Sequence, residues 1–173
     1  MALGRMEAFD KDVFLDLFEQ SGKTQAQLAV DCQVGRAVVS NWVAGRNKPA
    51  PQAAPLLAEA LGTTVLVLSN RTPEDADLVD RRISKGFNAA SAAREAGITS
   101  QQIYELEQAV SMPIMEQLDA LAPVYDLTTD EIHRAWINRR VRLFPGSLRH
   151  LDESTREALK PWSLEEPDWA TPQ

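Results

Sequence analysis

Arg36-Ala37-Val38-Val39-Ser40-Asn41-Trp42, followed by Gly45-Arg46-Asn47-Lys48-Pro49, combines residue types with a definite chemistry. At helical spacing Val39 and Trp42 turn inward together, which leaves Arg36, Ala37, Val38, Ser40 and Asn41 outward. The outward set is short, polar and methyl-bearing, and so suits the base edges displayed along a major groove. The two cations and the amide after it suit phosphate oxygens, contacts that set register without specifying sequence.

Other chemistries find little support. Cys32 is expected to be a small buried hydrophobe, and it lies more than 100 residues before the first histidine, His133, a poor basis for a nucleophile and its base. His133 and His150 read as surface residues in a basic stretch. One cysteine and two histidines give neither an internal disulfide nor a metal-ligand set. The paired acids Glu165-Glu166 have no partner that the sequence identifies. No catalysis, no metal and no cofactor are expected.

A net charge of −7 looks unfavourable for a nucleic-acid partner, but the charge is unevenly placed. Residues 1–70 carry 6 basic and 7 acidic groups, 71–150 carry 10 and 12, and 151–173 carry 2 and 6. Affinity for a duplex depends on cations held against phosphates, so acid concentrated near one end does not exclude it. No apolar run approaches the ~20 residues of a membrane span, and the first residues lack the apolar core of a signal peptide. A cytoplasmic protein with no membrane partner is the expectation.

The elements that must position this stretch follow from caps and periodicity. Phe9, Val13, Phe14, Leu17 and Phe18 predict a first helix of about three turns, capped by Asp10 and stopped by Gly22. Thr24-Gln25-Ala26-Gln27 has capping-box form and predicts a short second helix to about Asp31, with Leu28, Ala29 and Cys32 inward. Gln33-Val34-Gly35 is a turn, and Arg36 to Ala44 a third helix. Leu56, Leu57, Ala60 and Leu61 predict a fourth, which Pro55 should delay or bend. Thr63-Thr64-Val65-Leu66-Val67-Leu68 reads as strand by composition.

"TQAQLAVDCQVGRAVVSNWVAGRNKP" resembles the helix-turn-helix of the Xre, or lambda-repressor-like, family. The match runs without a gap through Thr24, Gln25, Leu28, Ala29, Val34, Ser40, Trp42, Gly45, Lys48 and Pro49. Gly35 departs from it, where a capping Ser or Thr is usual, as does Cys32, where Leu is common. The resemblance implies phosphate contact from Gln25, and from its neighbour Lys23. It implies base contact from Arg36, Ala37, Val38, Ser40 and Asn41, with Arg36 on guanine, Asn41 on adenine and Val38 against a thymine methyl. Arg46, Asn47 and Lys48 would hold the backbone. It also implies a short final helix where composition suggests a strand over 63–68.

After the polar linker 69–73 the pattern recurs at an offset of 64. Gly86 falls on Gly22, Asn88 on Thr24, Ala92-Ala93 on Leu28-Ala29, Ile98 on Val34, Ile103 on Val39, Leu106 on Trp42 and Pro113 on Pro49. Ile114, Leu118 and Leu121 predict the next helix, and Thr128-Thr129-Asp130-Glu131 caps another that carries Ile132, Trp136, Ile137 and Val141. The fold expected is all-α: two tandem lambda-repressor-like units of about five helices each, over 1–69 and 74–150, then an acidic tail over 151–173. Thr99 occupies the cap position of the helix that follows, with Gln102 three residues on. Outward Ser100, Gln101 and Gln102 are candidate base readers, but Val110-Ser111-Met112 replaces Arg46-Asn47-Lys48. Replacement phosphate contacts are sought in Arg82, Lys85 and Arg94, or in the run His133, Arg134, Arg139, Arg140, Arg142, Arg149 and His150. The alternative is a degenerate copy kept for dimerisation or for a protein partner.

Residues 151–173 contain Trp162 and Trp169, expected either to finish the core or to mask the basic helix until a partner competes. The function expected is that of a transcriptional regulator, most simply a repressor, on a double-stranded DNA operator. It would act as a homodimer on an inverted repeat or as a monomer on an asymmetric site. The competing expectation is an antitoxin-like module that holds a protein partner.

Overall fold

The computed structural model describes residues 6–110 and 112–145. Among the described residues there are ten helices and no strand: α1 Lys11–Gln20, α2 Gln25–Asp31, α3 Arg36–Val43, α4 Ala53–Ala60, α5 Val65–Leu68, α6 Leu78–Ser84, α7 Ala89–Ala96, α8 Ser100–Gln108, α9 Met115–Tyr125 and α10 Thr129–Leu143. The expectations for Trp162, Trp169, Arg149, His150 and the tail lie outside the described residues, as does that for Ser111.

Local sequence accounts for most helix starts. Asp10 caps α1 by accepting from the Asp12 and Val13 amides at 3.0 and 3.1 Å. Thr24, Thr99 and Thr128 each close a capping box over α2, α8 and α10, reciprocated by Gln27, Gln102 and Glu131. The Gly35 start of α3 has no side-chain cap. Pro55 is the third residue of α4, inside the first turn, where its missing N–H leaves no intrahelical bond unmade; the helix starts late for that reason. Over 63–68 the chain forms the short helix that the family resemblance implies, not the strand that composition suggests: Thr64 caps α5, and Val65 and Leu68, three apart, are both buried.

The backbone repeats where the sequence scarcely does. Gly22, Gln33, Gly45 and Gly62 have φ of 63°, 55°, 70° and 65°, and Gly86, Gly97, Ala109 and Asp126, each 64 positions on, have 75°, 67°, 50° and 57°. Left-handed backbone costs a residue with a Cβ, so it marks obligatory turns between helices. Four coincident turns put α7, α8 and α10 at the same register as α2, α3 and α5.

Two apolar clusters lie on either side of α6. Phe14, Leu28, Val39, Trp42, Leu57 and Leu68 belong to the first, and Ala92, Ile103, Leu106, Leu121, Ile132 and Trp136 to the second. α6 serves both: Val79 and Ile83 pack into the first, Leu78 into the second. The segment between α5 and α6 is also stitched down, because the Asn138 side-chain amide donates to the Glu74 and Ala76 carbonyls at 2.7 and 3.1 Å. It is therefore not the free tether that its polar composition suggests.

Candidate nucleic-acid interface

α3 is held by Val39 and Trp42, both at most 1% exposed. Burying such side chains stabilises by roughly 1.5–3 kcal/mol each, so α3 has one rotational setting about its axis. In that setting Arg36, Ala37 and Val38 are exposed and Ser40 and Asn41 half-buried, which leaves one continuous outward strip. The turn before α3 is closed by Gln33 in left-handed backbone, with its amide on the Val30 carbonyl at 3.0 Å and the Val34 amide on Ala29 at 2.9 Å.

The turn after α3 is tied to the strip through Asn41. Its backbone carbonyl accepts from the Arg46 and Asn47 amides at 2.9 and 3.3 Å, and its Oδ1 accepts from Arg46 Nε at 2.9 Å. Gly45 makes this return possible, with φ of 70° and with Lys11 Cδ only 3.1 Å from where a Cβ would stand. Arg36 and Arg46 are exposed cations. Lys48 is exposed but donates to the Glu7 carbonyl, and Lys23 pairs with Asp31 at 2.7 Å. Gln25 is the first residue of α2 and half-buried. The structure thus brings Arg36, Ala37, Val38, Ser40, Asn41, Arg46 and Asn47 together and binds Lys23 and Lys48 to internal partners.

The second half differs. Ser100, Gln101 and Arg94 are exposed. Gln101 Nε2 donates to Glu105 at 2.9 Å, and Gln102 Oε1 accepts from the Thr99 amide and hydroxyl at 2.8 and 3.1 Å. Gln102 closes the capping box of α8 through that oxygen, so contact with a base through it would compete with the cap.

The candidate phosphate contacts of the basic run need correction as well. Arg139 is 6% exposed and donates to the Glu107 carbonyl at 2.7 Å, Glu7 at 2.9 Å and Asp77 at 3.4 Å. Arg142 bonds Asp77, Asp80 at 3.2 Å and the Asp75 carbonyl at 2.9 Å. Arg140 donates to the Ala109 carbonyl at 2.5 Å and lies over the Trp136 and Phe144 rings. Arg82 is 1% exposed and forks onto Glu107 at 2.5 and 3.0 Å, and Lys85 lies 3.4 Å from Asp126. His133, read as a surface residue, is buried beside Trp136, and burial lowers its pKa. Carboxylates and carbonyls satisfy the buried Arg82 and Arg139, since a buried charge without a partner is costly.

Sequence reading missed this network, although a signal was present. Glu107 adjoins Leu106 and lies four residues after Ile103, Arg82 adjoins Ile83 and lies four after Leu78, and Arg139 lies three after Trp136. All three occupy inward helix positions, where a charged residue implies a buried partner.

Cys32 is buried, and burial pushes its thiol up to about 11, with Asp31 adding to the effect; the reactive thiolate is disfavoured. Among the described residues no group of three or more His, Cys, Asp or Glu is placed to hold a metal ion. No helix among them is long and apolar enough to cross a membrane. No curated protein and no solved structure matches the chain. One protein family, described as helix-turn-helix, matches residues 16–68, from within α1 to the last residue of α5. Residues 16–68 are therefore a helix-turn-helix domain of the Xre, or lambda-repressor-like, type, a non-catalytic DNA-binding module.

Proposed function

We propose that the protein is a cytoplasmic, sequence-specific regulator of transcription, most simply a repressor that occludes a promoter. On this reading α3 enters the major groove of a duplex operator, Arg36, Ala37, Val38, Ser40 and Asn41 face base edges, and Arg46 and Asn47 hold the backbone beside it. The observation that carries it is the Asn41–Arg46 bond, which joins the outward strip to the turn after α3 within the matched domain. Gln25 at the α2 N-terminus adds a neutral phosphate contact.

The second half is, on the same reading, a diverged copy of the first; the four recurring left-handed positions support this. The divisions 1–69 and 74–150 then describe repeats fused through α6, not independent beads. Whether one chain occupies an asymmetric site or two share an inverted repeat follows from what the copy contacts. A second reading, an antitoxin-like module for which DNA is secondary, draws on the apolar replacement of the Arg46-Asn47-Lys48 turn.

Binding to duplex DNA across a salt series tests the proposal. Each phosphate held contributes ~0.9 to the slope of log affinity against log salt, so a fall with slope of roughly two or more is expected. A flat curve would overturn it in favour of the protein partner.

A further inference from the structure

The segment from Ala109 to Met115 stands where the first half has its phosphate-binding turn, with Val110 at the register of Arg46 and Met112 at that of Lys48. Its apolar side chains face water: Val110 is 70% exposed, Met112 47%, Ile114 58% and Met115 55%. Single exposed apolar residues are ordinary on protein surfaces, but four within six positions mark a site of contact.

The surroundings are acidic. Glu105, Glu116 and Asp119 are exposed, and Asp119 lies one helical turn beyond Met115 on the same face of α9. Arg140 is the neighbouring cation that the contacts identify; it is bonded to the Ala109 carbonyl and stacked on Trp136 and Phe144. Phosphates set against this surface would meet carboxylates and apolar side chains. A second copy related by a two-fold axis would bring the same three carboxylates towards themselves.

We infer that exposed Val110, Met112, Ile114 and Met115, with the exposed carboxylates of Glu105, Glu116 and Asp119, form a docking surface for a protein segment whose apolar side chains are flanked by lysine or arginine. The repeat reading serves only to place the surface, and the inference does not rest on DNA binding by α3.

A displayed library of random 12-residue peptides, selected on the full chain, tests it. The expected result is enrichment of peptides that combine apolar residues with net positive charge. Their affinity should fall at least tenfold in Ile114→Glu and weaken in Glu105→Gln/Glu116→Gln, while the thermal midpoint and DNA binding of both variants stay at wild-type values. DNA binding is measured in parallel, so failure of the operator reading leaves the peptide result to be judged alone. Absence of enrichment, enriched peptides without positive charge, or affinity unchanged in Ile114→Glu would each overturn the inference. So would a wild-type dimer that dissociates in Ile114→Glu, which would assign the surface to a second copy.

Discussion

At the residue scale, Asn41 and Arg46 act as one device. A carbonyl oxygen has two lone pairs, so Asn41 Oδ1 can accept from Arg46 and still accept from adenine N6 while Nδ2 donates to N7. Arg46 therefore orients the amide without blocking it. Arg46→Ala frees the amide to flip, and most of the ~1–3 kcal/mol of discrimination at the base Asn41 reads should be lost. The salt slope should also fall by about one. Competition binding on operators mutated at that base measures the first effect. A reduced slope with unchanged discrimination would make Arg46 a phosphate contact alone. The outward strip of α3 could be read from residue order, because Val39 and Trp42 fix the phase. The partners of Lys23, Lys48, Arg139 and Arg142 could not: Lys48 reaches Glu7, 41 positions away, and Arg142 reaches Asp77, 65 positions away, pairings that exist only after tertiary folding.

At the element scale, capping boxes made helix starts visible in advance, as at Thr24, Thr99 and Thr128. The four-residue α5 gave no periodicity to read, and its β-branched composition pointed to a strand that packing overrides. The family resemblance, not the composition, anticipated the helix there. α3 starts without a side-chain cap, since Gly35 offers no side-chain oxygen where Thr99 caps α8. Gly35 has φ of −73°, and nothing stands within 4 Å of a Cβ added to it. Gly35→Ser should therefore stabilise the chain by roughly 0.5–1 kcal/mol, through a cap and a less flexible unfolded state. A rise of about 1–4 °C in Tm is the expected reading. A fall would mean that this position needs glycine for a reason other than space or backbone angle.

At the scale of the whole molecule, α6 and the buried ion network hold the two halves in one arrangement. Asp77 caps α6 and accepts from Arg139 and Arg142 of α10, while Arg139 also reaches Glu7 beside the first half. Desolvation offsets much of the Coulomb gain in such clusters, so their consequence is a fixed orientation more than net stability. The recurrence at 64 positions was readable from a few apolar and glycine positions. The apolar residues at the register of Arg46 and Lys48 were readable in Val110 and Met112, whereas the internal engagement of Arg139 and Arg142 was not. Part of the acid of this chain is engaged inside the fold, since Glu107, Asp77 and Asp80 pair with Arg71, Arg82, Arg139 and Arg142. The central proposal is that α3, and not α8, specifies the operator. Selection of bound duplexes from a randomised pool, run on the wild type, Arg36→Ala and Gln101→Ala, tests it most directly. The account predicts a consensus relaxed at a base position in Arg36→Ala and unchanged in Gln101→Ala. A consensus indifferent to Arg36→Ala but altered by Gln101→Ala would contradict it.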